Sequence, residues 1–478
     1  MTYAIACFGI LGLLAFLYLQ PKYKVFISFF LMMQFFDLGP GLLFGMYVWD
    51  YGAILMLVTA VDVFLRTPVL ELPKHGYITV FKIFLAWLLI CFLWSLLIYQ
   101  YPVLHTIKNA RYLLVGYSMT LIFIRVFSVQ PESFEFLMKW FYWLTFVLMP
   151  VVLLQYLLDR PLLFGLIVEY EGAVRALPIF LPFCILYFWV ILVKLLSSQR
   201  LAAHETIYLT LAASTIALTF TRGIYIAVML TTVALMWTMS WDRTVKALSA
   251  LKAMTAGALM IVVLLAFGAG GKVVDRIASG LHLLSSGDTA SVKQSKENDD
   301  TFNGRLGLAA ERFSLVWAKN PILGYGFIHE DDVPSELRGS LRFGTPLSGT
   351  AADPTAYSRF NGVTDHYTLG FYTADVAWAD IAISTGWLGV LLLIIVVLVF
   401  VLGHYRQRGG THPMGYAVRT ALFLQVLVAF LLTFNSNSFY SNVHIVAFLL
   451  AGYALTGDHP VKSTSPTTQV SRPANLMT

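Results

Sequence analysis

The sequence contains few charged residues. Only 12% of its 478 residues are Asp, Glu, Lys or Arg, whereas 58% are hydrophobic. A soluble domain of this composition would leave far more apolar surface in water than folded proteins tolerate. The scarcity of charge therefore excludes an ordinary soluble protein and predicts an integral membrane protein.

Cysteine and clustered carboxylates are scarce as well. The three cysteines, Cys7, Cys91 and Cys184, all fall within apolar runs, so the sequence offers no disulfide framework and no cysteine metal site. An Asp-x-Asp motif is missing. The adjacent pairs Asp299-Asp300 and Asp331-Asp332 are interpreted as loop, because neighbouring residues seldom face the same way. The sequence therefore predicts neither a cofactor nor a metal site.

The alternation of polar and apolar residues that marks a membrane β-barrel is also missing. Apolar runs are continuous over about 15 to 22 residues, which predicts an all-α polytopic fold. About twelve or thirteen spans are expected. They lie near residues 3–19, 25–45, 51–64, 77–99, 112–127, 135–157, 176–196, 206–220, 223–240, 250–269, 387–403, 417–434 and 442–456.

One long polar stretch interrupts the apolar runs late in the chain. Its position predicts four parts: an N-terminal transmembrane bundle at 1–269, a large, partly helical loop subdomain at 270–386, C-terminal transmembrane helices at 387–457, and a disordered tail at 458–478. The tail is rich in Ser, Thr and Pro, which disfavours a packed core.

Basic residues predict the orientation. Lys and Arg cluster around Arg200, Lys246 and Arg406, and these alternate loops are predicted to be cytoplasmic. The large loop then lies on the extracytoplasmic face, and the tail is cytoplasmic. The net charge of +6 partly reflects this orientation and contact with anionic lipid, rather than binding of nucleic acid.

Four arginines are predicted to share the extracytoplasmic face: Arg175, Arg222, Arg305 and Arg312. An arginine at a membrane boundary is commonly a snorkelling anchor, and that interpretation stays open for each of them. Arg222 is the hardest to explain in this way. The link Thr221-Arg222-Gly223 between two spans is so short that its guanidinium must lie at the mouth of the bundle.

The region 304–320 of the large loop has the pattern of an amphipathic helix. Leu306, Phe313 and Trp317 recur at helical spacing on one face, and Pro321 ends the pattern. Arg305 and Arg312 are seven residues apart and therefore lie on nearly one side of the helix. Two guanidinium groups so placed can grip a diphosphate. A helix lying on lipid headgroups with solvated arginines is the alternative.

Several motifs in this part of the chain are similar to one known superfamily. The string from Asn303-Gly304-Arg305-Leu306 to Trp317, and the turn Asn320-Pro321-Ile322-Leu323-Gly324-Tyr325-Gly326-Phe327, resemble the signature of the O-antigen ligase and O-antigen polymerase superfamily. The segment Glu171-Gly172-Ala173-Val174-Arg175-Ala176 is similar to its arginine-containing outer loop, and Thr221-Arg222-Gly223 is similar to its short turn. The likeness covers roughly residues 160–400.

The resemblance implies a metal-independent membrane glycosyltransferase of the bacterial inner membrane. Such an enzyme polymerises undecaprenyl-diphosphate-linked oligosaccharide repeat units into an exopolysaccharide, capsule or O-antigen. Carried over by position, Arg222 and Arg305 bind the substrate diphosphate, with Arg305 also acting in catalysis. Arg175 is a supporting cation. Arg312 is the alternative to Arg305, because the spacing from Arg305 to Pro321 is about one residue longer than the family pattern.

The residue that activates the acceptor hydroxyl is where the chain departs from the ligase pattern. Ligases present His-Asn about eleven residues before a Gly-x-x-Gly, which is matched here by Gly386-Trp387-Leu388-Gly389. Counting back reaches Asp375, whereas His366 lies nine residues earlier. Asp375 is therefore the first candidate base and His366 the second. A helix N-cap at Asp375 and a solvated loop histidine at His366 are the structural alternatives.

Polymerase members of the superfamily often have Asp at this position, so the resemblance favours a polymerase. The first alternative is a ligase that transfers the glycan to lipid A-core or protein. A lipid-linked sugar transporter or flippase is an alternative of another class, supported by Asp62 within a predicted span and by a break in the second span at Pro40. The substrate glycan and the lipid bilayer are the expected partners. A chain-length regulator or export machinery stays open as a further partner.

Overall fold

The computed structural model describes a defined part of the chain. The described residues are 12, 15–32, 48–66, 75–158, 166–170, 173–177, 180–197, 199–219, 222–238, 296–341, 370–372, 376–407, 416–433 and 452–454. The candidate bases His366 and Asp375, the break at Pro40 and the tail at 458–478 lie outside them.

Helices make up most of the described structure. The labelled helices before residue 166 are α1 (Pro21–Met32), α2 (Val48–Arg66), α3 (Gly76–Leu97), α4 (Val103–Val129) and α5 (Pro131–Leu158). The later ones are α6 (Leu181–Leu196), α7 (Ala203–Ala217), α8 (Arg222–Thr238), α9 (Lys296–Lys319), α10 (Ser335–Gly339), α11 (Ala377–Gln407) and α12 (Tyr416–Leu432). Their order agrees with the apolar runs.

A short hairpin lies between α5 and α6, where the sequence was expected to form a loop. The strands β1 (Leu166–Tyr170) and β2 (Ala173–Leu177) pair in antiparallel register, with Val168 opposite Arg175. Val, Ile and Tyr favour the pleated, extended backbone. The all-α prediction is therefore correct for the bulk of the described chain but misses this small sheet.

Several helices are apolar enough to cross a membrane. Three described helices pass by length and composition: Gly76–Leu97, Pro131–Tyr156 and Ala377–Tyr405. A fourth span is formed if the bent pair Val103–Arg111 and Leu113–Val129 crosses as one. Shorter apolar helices are Leu181–Leu196, Gly223–Leu235 and Tyr416–Leu432. The described structure is mostly helical and contains several apolar helices, which supports a membrane protein, and the full number of spans stays a prediction.

The last two long helices pack against helices from earlier in the chain. Helix α11 packs against α3 and against α9, while α12 packs against α6 and α8. Helix α11 begins at Ala377, before the predicted span 387–403, and so crosses the predicted boundary at residue 386. Gly386 interrupts it with φ 67° and ψ −176°. The helix thus has an N-terminal segment that belongs to the large-loop region.

A buried ion pair joins the first two described helices. Lys24 Nζ donates to Asp62 Oδ2 over 2.7 Å, and the Lys24 side chain is fully buried. Removing one partner of such a pair leaves an uncompensated charge, at a cost of about 3–5 kcal/mol. Asp62 therefore has a structural partner, which weakens its value as an indication of transport.

We expect Asp62→Asn to lower the thermal midpoint of the purified protein, because Lys24 would lose its counter-ion. The double variant Lys24→Met with Asp62→Leu should recover most of the loss, since apolar residues of similar volume often replace a buried pair without penalty. Thermal unfolding followed by size-exclusion chromatography measures both. Equal losses in the single and double variants would contradict a pairwise role.

Candidate functional site

A tight turn follows α9. We call residues Asn320–Phe327 the docking turn. Asn320 Oδ1 accepts hydrogen bonds from the amides of Ile322 and Leu323, each over 3.1 Å, and the Gly324 amide donates to Asn320 O over 2.8 Å. Gly324 and Gly326 both have positive φ, at 65° and 71°. Such backbone suits glycine, which explains the spacing of the motif.

The docking turn fits into the break in α11. The Tyr325 amide donates to Ile383 O, and the Trp387 amide donates to Pro321 O, each over 2.8 Å. These two bonds pair backbone groups on either side of Gly386. A helix break within an apolar bundle is stable only when its backbone groups find partners in this way.

Contact at this junction is too close for any side chain. A Cβ atom at Gly386 would lie 1.9 Å from Ile322 O, and one at Gly324 would lie 2.4 Å from Ile383 O. Both distances are far below van der Waals contact. The glycines therefore let two backbones approach each other directly.

Helix α3, together with Tyr99 two residues beyond its end, holds the same junction from the other side. Tyr99 Oη donates to Gly324 O over 2.9 Å, and Ser95 Oγ accepts from the Phe327 amide over 2.8 Å. Trp87 Nε1 donates to Thr385 O over 3.0 Å, beside the break in α11. The turn is thus fixed between two helices that are long enough to span a membrane.

The buried face of α9 differs from the predicted one. Leu308, Arg312 and Val316 are buried, whereas Leu306 and Trp317 are 54% and 69% exposed. The apolar residues that the sequence pattern grouped on one face thus include two exposed ones, Leu306 and Trp317. The pattern did not predict the burial of Arg312, whose guanidinium is buried because it has specific acceptors.

The Arg312 guanidinium is occupied by protein acceptors. Nε donates to Phe371 O over 2.8 Å, one terminal nitrogen donates to Gly370 O over 3.0 Å, and the other contacts the Glu311 carboxylate. Burial lowers the pKa of Arg312, and the carboxylates of Glu311 and Asp380 oppose this effect. The side chain joins α9 to the segment 370–372.

A second set of bonds holds the same segment. The Tyr372 amide donates to Glu330 Oε1 over 2.8 Å, and Tyr372 Oη donates to Ile328 O over 2.8 Å. Asn109 of α4 donates from Nδ2 to Tyr372 Oη over 2.7 Å. Burial raises the pKa of Glu330. Residues 370–372 are therefore held from three directions, three positions before Asp375 in the sequence.

For the other predicted cations, the structure describes the position of the backbone. Arg222 is the first residue of α8, Arg305 lies two turns before Arg312 on α9, and Arg175 lies in β2. Among the described side chains, Arg312 is the one predicted site residue with defined contacts. The functional roles of these residues stay predictions.

Comparison with known proteins bears on the same region. Residues 207–394 match the family model described as O-antigen ligase. This part of the chain is O-antigen ligase-like. The matched residues extend from α7 into α11 and include every predicted site residue except Arg175. No curated protein matches the chain.

Sequence reasoning missed some residues of the O-antigen ligase-like region. Asp380, in the first turn of α11, is fully buried and lies close enough to Arg312 to favour its charged form. Glu330 and Tyr372 were also missed. An acidic residue in an apolar run was the available signal for Asp380. The signal for Glu330 is tertiary, because its partner Tyr372 is 42 residues away.

We expect Gly386→Ala to disrupt the junction between α9 and α11. The residue has positive φ, so strain alone costs roughly 1–3 kcal/mol, and the Ile322 carbonyl must also move. The thermal midpoint and any enzymatic turnover should both fall. Gly339→Ala is the matched control, since nothing lies within 4 Å of its added Cβ. Equal effects of the two substitutions would refute the docking role.

Arg312→Met should release the segment 370–372. Each carbonyl left without its donor costs about 1–3 kcal/mol, and chymotrypsin should cleave at Phe371 or Tyr372 faster than in the wild type. Ser314→Ala, at an exposed position of the same helix, should leave cleavage unchanged. Limited proteolysis with mass spectrometry of the fragments measures this. Unchanged cleavage in Arg312→Met would show that its bonds are dispensable.

Proposed function

We propose that this protein is a membrane glycosyltransferase that polymerises undecaprenyl-diphosphate-linked oligosaccharide repeat units on the outer face of the bacterial inner membrane. The observation that carries the proposal is the junction at Gly386. It fixes the arginine-bearing helix α9 to α11, and Arg312 ties α9 to the segment that leads into Asp375. The O-antigen ligase-like match supports glycan transfer as the class of reaction.

The two arginines of α9 receive different roles in this proposal. Arg312 is fully buried, and its three nitrogens donate to protein acceptors, so a diphosphate would have to replace those bonds. We therefore assign substrate contact to Arg305 and positioning of residues 370–372 to Arg312. Arg222, at the start of α8, completes the diphosphate site, with Arg175 as a supporting cation.

The reaction needs a stabilised leaving group. The acceptor hydroxyl oxygen attacks the anomeric carbon, the bond from that carbon to the diphosphate oxygen breaks, and undecaprenyl diphosphate leaves with the added negative charge. Guanidinium groups fixed near a low-dielectric boundary stabilise that charge as it develops. The arginines can therefore supply the electrostatic stabilisation that a divalent metal supplies in other enzymes.

The hydroxyl proton goes to a base. We propose Asp375 first and His366 second. A histidine, with an ordinary pKa near 6.5, is a ready base at neutral pH, whereas an aspartate needs a raised pKa or acts mainly by orienting the hydroxyl. The bonds that hold residues 370–372 limit the freedom of the chain just before Asp375, which supports Asp375 as the positioned group.

Ligation is the second candidate function. The matching family model is described as O-antigen ligase, which favours transfer of a finished glycan to lipid A-core or protein. The Asp at the predicted base position favours polymerisation. The two reactions differ in their acceptor, and products distinguish them directly.

The deciding experiment uses the purified protein in lipid with an undecaprenyl diphosphate oligosaccharide and EDTA. Wild type should consume the carrier-linked substrate and form longer carrier-linked products. Arg305→Ala should lower turnover at least a hundredfold without a change in thermal midpoint, and Asp375→Ala should do the same. Lys319→Ala, the charge-loss control on α9, should stay active.

Other outcomes point elsewhere. Transfer only to an added foreign acceptor would establish the ligase. Substrate binding without turnover would refute an enzyme and return the transporter to consideration. Full activity in Arg305→Ala with loss in Arg222→Ala would place the diphosphate at α8 alone.

A further inference from the structure

Two histidines from distant parts of the chain meet at the start of α4. His105 is the third residue of α4, and His329 caps the short 3-10 turn Glu330–Asp332. Their rings stack with centroids 4.7 Å apart and an angle of 29° between planes. Both side chains are partly exposed, at 30% and 27%.

Carboxylates flank both rings. His105 Nδ1 lies 2.9 Å and 3.0 Å from the two oxygens of Asp332, and His329 Nδ1 lies 3.3 Å from Asp331 Oδ2. One ligand atom each from His105, His329 and Asp331 can be chosen so that all lie within 4.8 Å of one another. Side chains from two separate segments of the chain thus lie close together.

We propose that His105, His329 and Asp331 form a zinc site. Two imidazoles and a carboxylate suit Zn²⁺, which binds such atoms at about 2.0–2.2 Å and leaves a fourth position for water. Tetrahedral ligands at that distance are about 3.4 Å apart, and a metal lies in the plane of each imidazole it binds, so the two rings must turn out of their stack to share one ion. Asp331 is 73% exposed, which leaves room for its carboxylate to move as well.

Asp332 gives the cluster the outer carboxylate that metal-binding histidines usually have. When His105 Nδ1–H donates a hydrogen bond to Asp332, the lone pair of His105 lies on Nε2 and can bind the metal.

The site would act on the structure of the proposed active centre without entering the chemistry. Zinc would clamp α4 to the segment 328–332. The same segment supplies Ile328 O and Glu330 to Tyr372, while Asn109 of α4 also bonds Tyr372. A clamp here would raise the thermal stability of this region, while the direct hydrogen bonds that hold residues 370–372 remain in EDTA. The proposal stands whether or not the protein transfers glycans.

The test uses full-length protein purified in lipid nanodiscs on a tag without histidine, stripped with EDTA and dialysed. Zinc chloride is added, and bound metal per chain, the thermal midpoint and the visible spectrum of the Co²⁺-substituted protein are measured. We expect one zinc per chain, a raised midpoint and a tetrahedral cobalt spectrum. His105→Ala, His329→Ala and Asp331→Asn should each weaken zinc binding at least tenfold.

The controls separate binding from folding. Glu336→Gln removes an exposed carboxylate from α10 nearby and should bind zinc as the wild type does. Asp331 is so exposed that Asp331→Asn should fold normally, which keeps the test valid if the histidine variants unfold. A folded wild type without stoichiometric zinc, or unchanged affinity in Asp331→Asn and the histidine variants, would overturn the proposal.

Discussion

The paired break in α11 is the constraint on which the rest of the described site depends. At Gly386 the helical hydrogen-bond pattern is interrupted, and an unpaired carbonyl or amide within an apolar bundle costs several kcal/mol. The docking turn supplies both partners: the Tyr325 amide donates to Ile383 O, and Pro321 O accepts from the Trp387 amide. Helix α9 is held in place as well, because the docking turn directly follows its last residue. The position of α9 relative to α11 is therefore set by backbone geometry and by the glycines that permit it.

A second consequence is the division between the arginines of α9. Burying a guanidinium is costly unless each donor finds an acceptor, and Arg312 finds them in two carbonyls and a carboxylate. Those bonds make Arg312 a connector between α9 and the segment 370–372. An arginine so engaged is poorly suited to exchange ligands at every turnover. The proposed diphosphate contact at Arg305 follows from this reasoning, not from the spacing of the motif alone.

Local patterns predicted much of the fold, and tertiary contacts account for what they missed. Continuous apolar runs were sufficient for helices such as α3 and α11, and the motif around Gly324 was recognised by its resemblance to a known superfamily. The burial of Arg312 in α9 was not predicted, since periodicity within one helix cannot show that Phe371 O and Gly370 O accept its hydrogen bonds. His105 and Asp332 are 227 residues apart, so no local pattern joins them. The strands β1 and β2 were too short for a clear alternation.

Rigid support matters most for a transferase that works through fixed charge. Arginines stabilise a leaving diphosphate well only if they need no rearrangement as the charge develops. Ser95 of α3 and Tyr99 just beyond it bond the docking turn, and Trp87 of α3 bonds α11 beside its break. Arg312 in turn holds residues 370–372 against α9. Ordering long, mobile side chains on an unsupported loop would reduce the free energy of substrate binding. The glycine junction thus lets an arginine-bearing loop helix behave as part of the membrane bundle, which is what the proposed chemistry requires.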